Sequence, residues 1–202
     1  WQGPGVVIDM RNVGVDLAPM RRDAFNNSYA HMRLSGGKLI SDLLFTLKHT
    51  QRVTGLTFDP SQDARIVETD TGPKVNQWSG FRIAPFKAPV SSEEIQPFID
   101  YLKDVICGRE PHTFPWVLAW IADIFQRPAE KPGTALVLHG KPGAGKTFLG
   151  EQILRPIIGK THSTMTNSLD HLVSGFNAMF DNKLFVQCDE ATNNRQRAST
   201  AK

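Results

Sequence analysis

Two cysteines in 202 residues exclude a disulfide framework as the basis of the fold. Cys107 and Cys188 stand far apart, without the CxxC or Cys/His spacing of a zinc site, and read as reduced, apolar thiols. No apolar run approaches the roughly 20 residues that span a bilayer, and the N-terminus lacks the basic start and apolar stretch of a signal peptide. The expectation is a soluble, intracellular chain with no membrane partner. Charge of one sign is also scarce: 23 Lys and Arg against 20 Asp and Glu give a net charge of +3, with no block of like charges. Composition therefore gives no nucleic-acid patch, and Arg21, Arg22, Lys48 and Arg52 read as solvated surface. A starting Met is missing as well. The chain opens on Trp1, and Ala198–Lys202 follow an acidic motif after which such folds normally continue, so it reads as a fragment. What is present is a 40% hydrophobic composition, ordinary for one large or two modest globular domains.

Along the chain, residues 1–88 read as a small α+β unit, an adaptor or oligomerisation element. It has a short strand at Val6–Met10 and a weak helix over Arg21–Met32. Lys38–Val53 carries Leu39, Leu43, Leu44 and Leu47 three to four residues apart, which predicts an amphipathic helix closed by Gly55. Phe58-Asp59-Pro60 and Asp70-Thr71-Gly72-Pro73 are turn chemistry, and Asn76–Phe81 reads as a strand and turn with Trp78 and Phe81 in the core. Lys87–Val90 is a linker.

Residues 91–127 read as a helical lead-in. Ser91 and Glu94 have the capping-box spacing, and Ile95, Phe98, Ile99, Leu102 and Ile106 form one stripe that Gly108 ends, with Pro97 expected to delay the start by a turn. A second helix over Phe114–Gln126 faces inward through Val117, Trp120, Ile121 and Ile124. From 128 to 202 strand and helix alternate. The expected strands are Thr134–His139, Thr161–Thr166 and Lys183–Cys188. The expected helices are Lys146–Ile157, with Phe148, Leu149, Ile153 and Ile157 inward, and a second one capped by Asn167 or Ser168 and running through Leu172. The resulting fold class is α/β, a partial parallel-sheet core behind the lead-in and the smaller α+β unit.

Between the first of these strands and its helix lies Gly140-Lys141-Pro142-Gly143-Ala144-Gly145-Lys146-Thr147, a full match to G-x-x-x-x-G-K-[ST]. Such a P-loop aims successive backbone N–H groups at phosphate oxygens beside the positive end of a helix, and a side chain at Gly143 or Gly145 would obstruct it. Lys146 is read as the point charge on the β- and γ-phosphates and Thr147 as a Mg²⁺ ligand, with nucleotide contacts extending to Phe148. Asp189 and Glu190 follow a buried strand, at the sheet edge where α/β proteins bind ligands. Asp189 is read as partnering Thr147 at Mg²⁺, and Glu190 as orienting and deprotonating the water that attacks the γ-phosphate. The second carboxylate favours hydrolysis over transfer to a bound hydroxyl, so Lys146 and Glu190 are the candidate catalytic pair and ATP with Mg²⁺ the candidate cofactors. His139 reads as a packing residue, and Asn193, Asn194, Arg195 and Arg197 carry no assigned role.

Phe114–Ala191 resembles the ATPase domain of superfamily 3 helicases, above all those fused to primases in phages, plasmids and large DNA viruses. The resemblance rests on both motifs, on Trp116–Pro128 with Glu130-Lys131-Pro132-Gly133 as the lead-in, and on Leu172–Asn177. A weaker likeness of Asn76–Phe81 and Phe58-Asp59-Pro60 to the region preceding the helicase in phage primase-polymerase proteins extends it over most of the chain. It implies an AAA+-like ATPase that assembles into a ring, a hexamer, works with a primase and moves on single-stranded DNA, in the bacterial cytoplasm if phage- or plasmid-encoded. It also implies that the polar sensor, DNA hairpin and arginine finger belong beyond Lys202, so that these residues alone hydrolyse ATP slowly. The alternative is a nucleotide-gated initiator or assembly ATPase without strand separation.

Overall fold

The computed structural model describes residues 6–7, 20–39, 42–44, 47, 52–168, 172 and 178–189. It divides into two compact units, residues 1–79 and 80–202. The division falls ahead of Lys87–Val90 for a local reason. Phe81 packs on Phe125 with ring centroids 5.2 Å apart, and the Arg82 and Ile83 amides donate to the Ile158 and Ile157 carbonyls, which ties this stretch to the second unit.

In the first unit β1 (Val6–Val7) pairs antiparallel with β2 (Met20–Arg21), and α1 follows over Arg22–Ser28 with Phe25 buried. A three-stranded sheet has the order β3 (Gly55–Thr57), β5 (Gly72–Asn76), β4 (Ile66–Thr69). β3 runs parallel and β4 antiparallel to β5, and the β4–β5 hairpin turns at Asp70–Thr71, the first half of the turn expected over Asp70–Pro73, while Gly72 and Pro73 belong to β5. Gly55 thus starts a strand instead of closing a helix. Of the helix expected over Lys38–Val53, residues 42–44 are helical, while 40–41, 45–46 and 48–51 lie outside the described residues. Val67, Val75 and Trp78 are buried, with Phe58 edge-on to Trp78. At the end of β5, Asn76 is fully buried and uses all its amide capacity. Its Nδ2 donates to the Asp59 and Gln62 carbonyls at 2.9 Å each, and its Oδ1 accepts from the Asp59 and Trp78 amides at 3.0 and 3.1 Å.

The second unit opens with α2, Ser92–Asp100, continuing as a π-helical segment over Tyr101–Ile106. The capping box forms: Ser91 Oγ accepts from the Glu94 amide and Glu94 Oε2 from the Ser91 amide. Pro97 lies inside the helix and does not delay its start. α3 spans Thr113–Gln126 and buries Val117 and Ile121, and Arg127 closes it with its amide on the Asp123 carbonyl. α4 comprises Lys146–Phe148, a π-helical Leu149–Leu154 and Arg155–Ile158.

The two π segments explain where the expected stripes slip. The Cys107 amide bonds the Leu102 carbonyl and the Arg155 amide that of Gly150, each five residues back. Buried positions accordingly run Leu102, Cys107 and Leu149, Leu154, Ile158, while Ile95 and Phe148 turn outward and Ile153 and Ile157 are half-buried. In α4 the wider turn precedes Pro156, whose ring would otherwise meet the Gln152 carbonyl of a regular helix.

β6 (Ser163–Thr166) and β7 (Phe185–Cys188) pair in parallel register. Buried His162 holds their approach: its carbonyl accepts from the Leu184 amide, and its ring Nδ1 lies 3.1 Å from the Asn182 carbonyl, which requires the proton on Nδ1. The expected first strand is not one. Thr134–His139 makes no strand pairing; Leu136 and Leu138 are half-buried against the core, and Val137 is 85% exposed. Alternate residues meet the core and solvent, so the run buries one face where the sequence predicted two. Among the described residues the helix expected after Asn167 is seen at Leu172 alone; 169–171 and 173–177 lie outside them. No helix among the described residues is long and apolar enough to cross a membrane.

Candidate nucleotide-binding site

The Gly-rich loop lies between Thr134–His139 and α4. Gly143 and Gly145 both hold positive φ, 76° and 88°, but for different reasons. A side chain at Gly143 would meet open space and be disfavoured by backbone conformation alone. One at Gly145 would also stand 3.3 Å from Val105 Cγ1 and 3.6 Å from Tyr101 Cε2. Gly140, Lys141, Pro142, Gly143 and Ala144 are exposed, Gly145, Lys146 and Thr147 half-buried, and Phe148 half exposed. Lys146 curls over the loop, its Nζ donating to the Gly140 and Lys141 carbonyls at 2.9 and 2.8 Å.

Asp189 sits one residue past β7, where its amide continues the ladder to the Thr166 carbonyl at 2.9 Å. Its carboxylate faces α4: the Thr147 hydroxyl lies 3.3 and 3.2 Å from the two oxygens. Two residues 42 apart in sequence are thus brought together by the packing of α4 on β7. At Gly150 a Cβ would overlap the end of the Gln187 side chain, which would have to swing aside. Glu190 lies outside the described residues.

A hydroxyl and a carboxylate side by side are hard oxygen donors, and they suit Mg²⁺, which takes one or two protein ligands and fills its octahedron with water and phosphate. Among the described residues no cluster of three or more His, Cys, Asp or Glu offers a cage for a transition metal. Burial raises the Cys188 thiol pKa, and the neighbouring Asp189 charge adds to it; burial also raises that of Cys107. Both are free and held as thiols.

One contact was not legible in the sequence. Tyr101, at the start of the π segment of α2, donates its hydroxyl to the Gly145 carbonyl at 2.8 Å and sets its ring edge-on to Phe148 at 5.6 Å. Burial raises the phenol pKa, and a hydrogen bond from the Leu149 amide opposes that rise. Tyr101 falls beside the apolar stripe, and its adjacency to Leu102 was its only signal. Phe98, Tyr101, Phe125 and Phe148 line an apolar cavity of about 630 Å³ between α2, α3 and α4.

Residues 138–202 match a family model described as a family of unknown function, DUF5906. No curated protein matches the chain. Solved structures do. The apo structure of the NrS-1 C-terminal region, residues 305–718, superposes with a TM-score of 0.60 at 18% identity, over 90% of this chain and 40% of that one. A second, the A form of the apo C-terminal region, gives 0.60 at 19% over 91% and 41%. At this identity the likeness is one of fold, a mixed α/β arrangement with small sheets that include parallel strands. The chain spans about 40% of the length of the structures it matches.

Proposed function

We propose that this chain is the nucleotide-gripping part of an ATP-hydrolysing replication helicase of the superfamily 3 type. The observation that carries the reading is the approach of the Thr147 hydroxyl to the Asp189 carboxylate at 3.2 Å, directly behind a Gly-rich loop ending in Lys146. The full P-loop motif supports it, and so does a fold shared with the NrS-1 C-terminal region.

In this reading the loop amides and Lys146 hold the phosphates. The Lys146 ammonium, now on the Gly140 and Lys141 carbonyls, exchanges them for β- and γ-phosphate oxygens. Thr147 and Asp189 hold Mg²⁺, which when bound neutralises charge developing on the transferred phosphoryl group. Glu190, the next residue after Asp189, orients the attacking water and takes its proton. The ring of subunits, single-stranded DNA and the primase are proposals that rest on the helicase resemblance.

Binding of Mg-ATP, measured by calorimetry on the chain and on its Lys146→Ala variant, tests the gripping half. Saturable binding in the first and its loss in the second supports the reading, and equal binding refutes it. ATPase activity of the whole protein with and without single-stranded DNA then separates a translocating enzyme, which DNA stimulates, from an assembly ATPase, which it does not.

A further inference from the structure

In a regular α-helix the Leu149 amide would donate to the Gly145 carbonyl, four residues back. Here the Gly145 carbonyl also accepts from outside the helix, from the Tyr101 hydroxyl at 2.8 Å. The Gly145 carbonyl keeps a second, tighter-turn bond from the Phe148 amide at 3.1 Å, and the π-helical segment starts at Leu149 itself.

The bond reaches further than the helix. A peptide unit is planar and trans, so the Gly145 carbonyl and the Lys146 N–H point in opposite directions from one rigid plane. Fixing the carbonyl toward Tyr101 fixes the Lys146 amide away from it. That amide opens α4, at the end of a helix that favours anions. The Tyr101 ring packs edge-on against Phe148, and a Cβ at Gly145 would lie in van der Waals contact with it, 3.6 Å from Cε2.

We propose that Tyr101 is a positioning residue for the phosphate cradle, its hydroxyl orienting the Gly145–Lys146 peptide so that the Lys146 amide is aimed at bound phosphate. The position of α2 is thereby linked to phosphate affinity. This rests on the nucleotide-binding reading above. A core tyrosine that only fills space would need no hydroxyl contact with the loop.

The test compares wild type, Tyr101→Phe and Lys146→Ala for Mg-ATP and for inorganic tripolyphosphate with Mg²⁺, by calorimetry. Tyr101→Phe keeps the ring and removes the hydroxyl. Loss of one positioning hydrogen bond weakens both ligands by about five- to tenfold, in a variant whose melting curve shows it folded at the temperature of the titration. Equal affinity in wild type and Tyr101→Phe overturns the proposal, as does a loss confined to ATP, which would place the tyrosine at the base. Absence of binding to wild type refutes the underlying reading instead. A second measurement needs no variant. The chain has two tyrosines, Tyr29 and Tyr101, so ¹³Cζ-tyrosine labelling gives two resonances. Tripolyphosphate shifts that of Tyr101 and leaves Tyr29 in place; a Tyr101 resonance unmoved at saturation overturns the proposal even if Tyr101→Phe fails to fold.

Discussion

Asn76 and Asp189 are both polar side chains at the ends of strands, and they answer to different physics. Asn76 is closed on itself, with four hydrogen bonds inside the first unit and no surface left. Truncation to Ala takes a partner from the Asp59 and Gln62 carbonyls and from the Asp59 and Trp78 amides, and costs about 2–4 kcal/mol in urea unfolding of that unit. Asp189 is half-buried and shares its carboxylate with the Thr147 hydroxyl, a geometry that serves a cation. Asp189→Asn keeps the shape and removes the charge. Nucleotide titrations at varied Mg²⁺ are expected to show the Mg²⁺ requirement rising by about 10–100-fold, with metal-free binding little changed.

Elements show how far the sequence can be read. Ser91 and Glu94 announced the start of α2, and the structure has both reciprocal bonds, because capping is a local matter of four residues. Replacing Ser91 with Ala removes that cap and costs about 1 kcal/mol, read as a lower midpoint in thermal unfolding. The Ser91 hydrogen bonds hold the Glu94 carboxyl below its ordinary pKa, so their contribution is present at neutral pH and lost as pH falls through that lowered value. α3 and the parallel β6–β7 pair were equally legible, from a clean helical stripe and two short apolar runs. The inward faces of α2 and α4 were not. Each contains a π turn that shifts the buried set by one residue, to Cys107 and to Leu154 with Ile158, and no 3.6-residue pattern contains that shift. Thr134–His139 misled for a related reason: its apolar residues predicted a strand buried on both faces, whereas Val137 faces solvent. The loop motif was read from residue types alone, but the hydroxyl of Tyr101 on Gly145 depends on how α2 lies across α4.

For the whole molecule, burial raises the pKa of Cys107, Tyr101 and Cys188. The native state therefore keeps protons that the unfolded chain releases. Stability is intact below the ordinary thiol range and falls as pH rises through the raised native values, which urea melts at stepwise alkaline pH will record. Three elements converge on the Gly-rich loop: α2 through Tyr101, α4 through Lys146 and Thr147, and the end of β7 through Asp189. If that convergence is a triphosphate site, Mg-ATP titrated calorimetrically into the chain binds saturably at one site, and Lys146→Ala abolishes the heat while retaining the wild-type melting curve. Wild type and Lys146→Ala giving the same isotherm would contradict the account.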